Sequence, residues 1–361
     1  MPSSDTPGSQ RSERHCVAAV ARSARSFAIG IASLVAGFAL APRALAQSQP
    51  QGFGLERFYP SAPGAGWFVM DDLTIHGGLG GAVALSVGYA ANPLRVAGGS
   101  AHLAVVSDQA FADIGVAATY DCWRLYLDLT APLLTRGQAG TVGNYEFATQ
   151  PSDLSSNPDS LGDARIGVDR RLVGSYDSPL RVGAGAQLIV PNGNRVEVDS
   201  QGTHHDDYGT DGTFRAMGRL LVAGDVGMFT AAGHVGVHVR PLDDSPTPGS
   251  PQGSELLFGI AAGVRSRVWL GGPAALVVGP EVYGATAFRS FFGEAGTALE
   301  GLLSGRLEET ADGGPQLRIK LGTGAGLDPR FGAPAWRVVF AIEVFDHTTT
   351  HRLASSNRSG S

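Results

Sequence analysis

Residues 122–132 read CWRLYLDLTAP, and the order of their side chains indicates an extended strand with two unlike faces. Every second residue is apolar, namely Trp123, Leu125, Leu127, Leu129 and Ala131. The residues between them are polar, so a two-residue period places the two sets on opposite faces of a β-strand. A half-buried strand of a soluble protein gives the same alternation, and the fold class therefore depends on how often the pattern recurs.

The alternation recurs about a dozen times between residues 79 and 345, and charge is confined to one of the two faces. The single charge within an apolar row, Arg170, lies near a strand end. The polar face holds arginines, acids and glycines, which is typical of a barrel interior rather than of the wet face of a β-sandwich. The pattern predicts an all-β fold, a transmembrane antiparallel up-and-down β-barrel of about 12 strands over residues 79–345.

The composition excludes several classes of protein. Only 17% of the 361 residues are charged, against about 25% in a typical soluble domain. Beyond residue 46, no apolar run approaches the roughly 20 residues of a transmembrane helix. Without the five arginines and two acids of residues 1–46, 22 basic and 31 acidic residues remain, a net charge of −9. That balance argues against nucleic-acid binding, which needs a basic surface.

Residues 1–46 are predicted to be a cleaved signal peptide. Four arginines precede an apolar run at 27–40, and the sequence Ala-Leu-Ala at 44–46 provides a cleavage site before Gln47. A retained N-terminal anchor helix is the alternative. After cleavage Cys122 is the only cysteine, so no internal disulfide can form.

The links between the predicted strands alternate in length. Short links are predicted at 121–122, 174–179, 224–228, 269–274 and 310–315, and longer polar links at 91–101, 135–160, 191–212, 241–253, 289–297 and 328–334. Short periplasmic turns and longer outer loops are the arrangement of outer-membrane barrels. An even number of strands places both termini of the mature chain in the periplasm, and residues 346–361 are predicted to be a disordered polar tail.

Residues 47–78 do not alternate and form an irregular leader. The leader is rich in Pro and Gly and has five possible aromatic anchors, Phe53, Phe58, Tyr59, Trp67 and Phe68. Such a segment could plug a barrel lumen or lie on the periplasmic rim. The sequence leaves both arrangements open.

Several glycine-based motifs resemble those of known barrels. LGDARIGVDRRLVG (161–174) followed by RVGAGAQLIVPNGN (181–194) resembles the phenol-degradation-pathway transporter-like barrels of the outer membrane. LERFYPSAPGAGWF (55–68), GDVG (224–227) and GPEVYG (279–284) resemble the barrel half of myxobacterial OmpA-family proteins. The resemblance covers about 55–345 and implies transport as a class, without a substrate. The peptidoglycan-binding domain usual in the second family does not follow Phe345, so wall anchoring is not implied.

The charged face supplies the candidate functional residues, which we expect to line the lumen. They are Arg124, Asp128, Asp163, Arg165, Asp169, Arg171, Arg181, Arg215, Arg219, His234, His238, Arg240, Arg265, Arg267, Glu281, Glu300, Arg306, Arg318, Arg337 and Glu343. Arginines outnumber acids, which favours a pore lining with a mild anion preference. A closed lumen, plugged by salt bridges, is the alternative.

Two groups of histidines are candidate chemical sites. His204, His205, Asp206, Asp207 and Asp211 match no metal-binding motif, and we expect an acidic, solvated outer loop rather than a divalent-cation site. His234 and His238 share one face, but four residues along a strand separate them by about 13 Å. At that separation we do not expect a shared metal site. Neither histidine has a serine in register, so we do not expect a hydrolase either.

The sequence thus predicts a passive, porin-like channel for small solutes in the bacterial outer membrane. The alternative is a structural barrel with a closed, salt-bridged lumen. We expect no enzymatic activity, no cofactor and no nucleic-acid partner. The expected partners are outer-membrane lipid and lipopolysaccharide together with small solutes, and a monomer is favoured.

Overall fold

A computed structural model describes most of the chain beyond its N-terminal region. The described residues are 52–98, 101–142, 145–148, 162–198, 204–242, 252–269, 273–293, 296–309, 315–328 and 332–348. The predicted signal peptide and most of the predicted tail lie outside these ranges.

Twelve antiparallel strands form one closed barrel. They are β1 (Leu79–Gly98), β2 (Ala101–Tyr120), β3 (Trp123–Arg136), β6 (Ala164–Val173), β7 (Arg181–Val190), β10 (Arg215–Val226), β11 (Phe229–Val239), β12 (Glu255–Trp269), β13 (Pro273–Ala287), β14 (Thr297–Glu309), β15 (Gln316–Asp328) and β16 (Trp336–Thr348). Each strand pairs with the next in this order, and β1 closes the sheet against β16, from Leu79↔Thr348 to Ala91↔Trp336. The predicted fold class and strand number are confirmed.

The two mouths of the barrel differ. At the short-turn mouth, where β1 begins and β16 ends, links such as Asp121-Cys122 and Gly227-Met228 join neighbouring strands. At the long-link mouth, two links contain hairpins of their own: β4 (Gly140–Val142) with β5 (Tyr145–Phe147), and β8 (Val196–Val198) with β9 (His204–Asp206).

The predicted link at 91–101 is wrong, because β1 and β2 are each 20 residues long and continue through it. Asn92 has a positive φ of 49°, and Pro93 has no backbone N–H to donate. The ladder between the two strands shifts register between Ala91 and Leu94 and then resumes. A β-bulge therefore absorbs the Asn-Pro pair, which in the sequence resembles the end of a strand.

The outward face of the barrel is apolar. Large exposed side chains follow the alternation around the wall, among them Leu85, Ile114, Leu125, Leu220, Val235, Ile260, Leu303, Leu321 and Phe340. Exposed aromatic residues lie near the strand ends, with Tyr120 and Trp269 at the short-turn mouth and Phe214 and Trp336 at the long-link mouth. An apolar belt flanked by aromatic residues is the surface that a barrel presents to a bilayer.

Arg170, the charge that the sequence places within an outward row, is covered by an aromatic ring of the wall. Its guanidinium lies 4.6 Å from the centre of the Trp123 ring, and the residue is buried. Trp123 is its register partner on β3, near the short-turn mouth. A cation–π contact at a strand end keeps this charge away from the middle of the belt.

Among the described residues, no helix is long and apolar enough to span a bilayer.

The hydrophobic core lies inside the barrel, and the leader provides much of it. Phe58, Trp67, Phe68, Val69, Met70 and Leu73 of the leader pack with wall residues that include Ala223, Ala232, Ala261 and Val339. The described part of the leader, residues 52–78, thus occupies the lumen rather than the rim. It also runs the length of the lumen, so Gly52 lies at the long-link mouth while β16 ends at the short-turn mouth. The described ends of the leader and of β16 thus lie at opposite mouths, whereas the predicted common side of the two mature termini concerns residues 47–51 and 349–361, which lie outside the described residues.

The belt yields a stability prediction. Leu303 lies at the middle of β14 and is 58% exposed. The substitution Leu303→Arg should destabilise the barrel by about 2–4 kcal/mol in lipid vesicles, because a charge at mid-depth must leave water. Urea unfolding followed by tryptophan fluorescence measures this, with Leu303→Ala as the matched control. If the two variants unfold at the same urea concentration, Leu303 does not face hydrocarbon.

Candidate functional site in the barrel lumen

The structure places most of the predicted lumen residues on the inward face, where they are buried. Arg124, Asp128, Asp163, Arg165, Asp169, Arg171, Arg181, Arg215, Arg219, His238, Arg240, Glu281, Glu300, Arg306, Arg318, Arg337 and Glu343 are all nearly inaccessible to solvent. They lie close together because adjacent strands place charged residues in register, as in Arg124↔Asp169 and Asp128↔Arg165. The site is thus a column of charged groups that face one another across the lumen.

Three predicted residues are less enclosed. Arg265 is 39% exposed and lies 3.3 Å from Glu308, while Arg267 is exposed. Both occupy the end of β12 next to the short-turn mouth, where the inward face reaches water. Arg267 therefore keeps the inward alternation of β12, opposite the buried Ala275, at the point where the lumen opens to water. His234 is partly buried and borders a small cavity near Arg219.

In the lower half of the lumen, towards the short-turn mouth, an arginine of the wall binds both the wall and the leader. Arg124 Nη2 lies 2.9 Å from Asp169 Oδ2 on the neighbouring strand and also bonds to Asp71 of the leader. Arg219 approaches Asp169 at 3.6 Å and donates to the Tyr126 hydroxyl at 3.1 Å. Each buried charge here is partnered, as the low dielectric of an interior requires.

At mid-lumen the leader backbone is held by the wall. Glu281 of β13 accepts hydrogen bonds from the backbone N–H groups of Phe68 at 3.0 Å and Val69 at 2.9 Å. Lys320 donates to the Trp67 carbonyl at 3.1 Å and pairs with Glu343 at 2.5 Å. These contacts satisfy backbone groups of the leader that have no strand partner.

Glycines of the wall leave room for the bulky side chains of the leader at this level. A Cβ at Gly259 would lie 2.3 Å from Met70 Cε, and a Cβ at Gly263 would lie 2.7 Å from a ring carbon of Trp67. A side chain at either glycine would displace the leader. Close packing against the leader therefore explains why glycine occupies these two inward positions of the sheet.

Near the long-link mouth, Asp211 binds the start of the leader to the wall. Its Oδ1 accepts hydrogen bonds from Gly54 N and from Arg240 Nη2, both at 2.7 Å. Arg240 also donates to the Gly54 carbonyl at 2.9 Å. Burial by itself would raise the pKa of Asp211, but the positive charges of Arg240 and Arg215 outweigh it and hold the pKa well below its ordinary range.

The loop of residues 204–211 is therefore not the solvated acidic loop that the sequence predicts. Asp206, Asp207 and Asp211 are all buried. The reason is long-range packing: Tyr208 accepts a backbone hydrogen bond from Leu55, and Asp211 is fixed by Arg240. Across the described residues, no cluster of three or more His, Cys, Asp or Glu side chains could hold a metal ion.

The leader contributes charged residues that the sequence analysis did not include. Glu56 pairs with Arg337 at 2.7 Å, and Arg57 pairs with Glu255 at 3.2 Å. Asp72 lies 3.4 Å from Arg306. In the sequence, these residues could have been recognised as isolated charges among aromatic residues, in a segment that has no strand periodicity.

The two predicted lumen histidines have separate environments. His238 is buried, and its Nδ1 lies 2.8 Å from Glu255 Oε1. The His238 ring also makes an edge-on contact with Tyr59 of the leader. His234, by contrast, borders a cavity of about 20 Å³ with Arg219 and Met217. The two histidines thus take part in different contacts of the filled lumen.

A larger cavity lies beside the leader in the half of the lumen near the long-link mouth. Its volume is about 90 Å³, enough for several water molecules. Phe58 and Tyr59 of the leader form one side, and Asp113, Arg165 and Arg215 form part of the other. Arg165 lies 3.3 Å from Asp128 and 3.5 Å from Asp113, and it donates to the Pro60 carbonyl at 3.0 Å. The lining thus combines these charged groups with apolar wall residues such as Phe111 and Ile189 and with the aromatic rings of the leader.

No family model matches the chain, and no curated protein matches it. Among solved structures, the chain is similar to an outer membrane channel from Pseudomonas putida F1, with 12% identity, a TM-score of 0.43, and coverage of 75% of this chain and 96% of that one. It is also similar to the NanC porin (9% identity, TM-score 0.38, 73% and 98% coverage) and to the beta domain of the Bordetella autotransporter Brka (14%, 0.36, 73% and 98%). These similarities are too low to indicate an activity.

The Asp211 contacts yield a pH prediction. Because the folded-state pKa lies below the ordinary value of 3.8, this carboxylate contributes its full stabilisation above that value and loses it only as the pH falls further. The variant Asp211→Asn should be less stable by roughly 3–5 kcal/mol, by an amount that is the same at about pH 7 and about pH 5. Urea unfolding at both pH values measures this, with the exposed Glu146→Gln as the control. A difference that disappears by pH 5 would contradict the assignment.

Proposed function

We propose that this protein is an outer-membrane channel for small solutes in which the leader sets the width of the path. The apolar belt supports a position in the membrane, and the lumen of charged groups supports a polar path. The bacterial outer membrane is the location in which single-chain antiparallel barrels with short turns at one mouth occur. Solutes would bind only through the charged groups of the lumen, without a cofactor.

The observation that carries this proposal is the leader inside the lumen. It is bonded to the wall at the long-link mouth through Asp211, at mid-lumen through Glu281 and at the short-turn mouth through Arg181, whose Nε donates to the Asp72 carbonyl at 2.9 Å. A path through the barrel must therefore pass beside the leader. The cavity next to Arg165 lies beside the leader on such a path, and its volume of about 90 Å³ suits small solutes.

Charge also supports a preference among solutes. The leader places the acids Glu56, Asp71 and Asp72 against the wall arginines Arg337, Arg124 and Arg306. If the leader is loosened, each of these arginines loses its leader partner and keeps only its wall partner, namely Glu300, Asp169 and Glu308, so the lumen becomes more positive. We therefore expect the path to favour anions.

A sealed structural barrel is the second candidate, because the same contacts fill the lumen at three levels. In this case the leader is a permanent core of the barrel, and the protein has a structural role in the membrane through its wall and loops. The two candidates differ in one property, which is ionic current through the wild-type protein.

Trp67 provides the test. It is a buried leader residue, its ring lies 5.1 Å from the Arg306 guanidinium, and it packs within the lumen core. The substitution Trp67→Ala should raise the single-channel conductance in planar bilayers severalfold, because it removes the bulk that fills the lumen at this level. Trp336→Ala is the matched control, since Trp336 is on the outward face and 48% exposed.

The outcomes separate the candidates. A small wild-type current that increases in Trp67→Ala and not in Trp336→Ala supports the channel. Absence of current in the wild type, with current in Trp67→Ala, supports the sealed barrel. An equal current in all three proteins would show that the leader does not limit the path.

A further inference from the structure

We infer that the leader enters the lumen from the outer side of the membrane, so that Gly52 lies at the cell-surface mouth and residues 1–46 have been removed. This inference rests on the outer-membrane location proposed above, but not on conduction. It follows from the direction in which the leader passes through the barrel.

The start of the described leader is bound at the long-link mouth. The Gly52 carbonyl accepts a hydrogen bond from Arg195 Nε at 2.8 Å, and Leu55 N donates to the Tyr208 carbonyl at 3.0 Å. Arg195 and Tyr208 both belong to the link between β7 and β10. Gly54 is bound to Asp211 of the same link.

The end of the leader is bound at the opposite mouth. Gly78 donates to Asp121 Oδ1 at 3.3 Å, and Asp121 N donates back to the Gly78 carbonyl at 3.0 Å. Asp121 forms the two-residue turn between β2 and β3. Arg171, near the end of β6 at this mouth, donates to the Ile75 carbonyl.

Contacts between these two ends lie at several levels of the wall. Arg57 pairs with Glu255, the first residue of β12 at the long-link mouth. Phe68 is bound to Glu281, in the middle of β13. Asp72 pairs with Arg306, close to the short-turn end of β14. The leader therefore passes from the long-link mouth to the short-turn mouth, with one local reversal in which Gly66 pairs antiparallel with Asp71 and Ser61 N donates to the Phe68 carbonyl.

Sidedness follows from the turns. In outer-membrane barrels the short turns face the periplasm and the longer links face outwards. Gly52 then lies on the outer side, and β1 starts on the periplasmic side. Gly52 and the end of β16 are therefore on opposite sides of the membrane.

The same geometry requires loss of the N-terminal signal. Only five residues, 47–51, separate the predicted signal from Gly52, and an extended chain of five residues spans at most about 18 Å. A helix retained in the inner membrane could not reach Gly52 at the outer mouth, because the hydrocarbon core of the outer membrane alone is about 25 Å thick. The alternative of a retained anchor is thus incompatible with a threaded leader.

Cysteine labelling on intact cells tests this inference. In a Cys122→Ser background, Ser48→Cys should react with a membrane-impermeant maleimide before the outer membrane is permeabilised. Asp177→Cys, in the short turn between β6 and β7, is the periplasmic control and should react only afterwards. Ser245→Cys, in the link between β11 and β12, is the outer control. The mass of the purified protein should correspond to a chain that starts at or near Gln47.

The results distinguish the possible errors. If Ser48→Cys reacts only after permeabilisation, like Asp177→Cys, the direction of the leader is wrong. If Asp177→Cys rather than Ser245→Cys reacts in intact cells, the orientation of the barrel is wrong, and the inference is wrong with it. A purified protein that retains residues 1–46 also overturns it. Heat-modifiable migration on gels verifies that each variant is folded, and no outcome depends on conductance.

Discussion

In a bilayer the charged side chains of a strand must point away from lipid, and here that constraint collects the charges of twelve strands in one narrow lumen. Charges removed from bulk water need partners at hydrogen-bond distance. The wall supplies some of them across neighbouring strands, as between Arg124 and Asp169. The leader supplies the others, through acids such as Asp71 and Asp72. The leader is therefore part of the electrostatic balance of the wall and not only a filler.

The same segment supplies the apolar core that a membrane barrel lacks elsewhere, because the outward side chains of such a barrel face lipid. Small inward residues, such as Ala232, Ala261 and Gly263, leave the space that Trp67 and Met70 occupy. Large residues of the leader thus face small residues of the wall, and burial of aromatic area favours the threaded state. The position of the leader is determined by shape as well as by charge.

The sequence predicted those features of the fold that depend on local periodicity. Alternation along each strand assigned its outward and inward faces, so the belt and most of the charged column could be named residue by residue. The leader could not be placed, because it has no period and its partners are distant in sequence: Glu281 lies 213 residues from Phe68. The burial of Asp206 and Asp211 was missed for the same reason, since their loop is polar in sequence and is covered only through tertiary contacts. The Asn-Pro pair at 92–93 was misinterpreted because a bulge lets a strand continue beyond a residue that cannot donate a hydrogen bond.

The attachment of the leader at both mouths limits how a path could open. Withdrawal of the whole segment would break contacts at Asp211, Glu281 and Arg181 together, and each leaves a buried charge or backbone group without its partner. Movement at one side of the lumen breaks fewer contacts. The cavity beside Phe58 and Tyr59 already separates the leader from part of the wall, and there Arg165 reaches across to the Pro60 carbonyl. In the proposed channel, a solute that binds Arg165 would compete with that contact, and the path would widen on the side of the lumen formed by β2, β3, β6, β7 and β10.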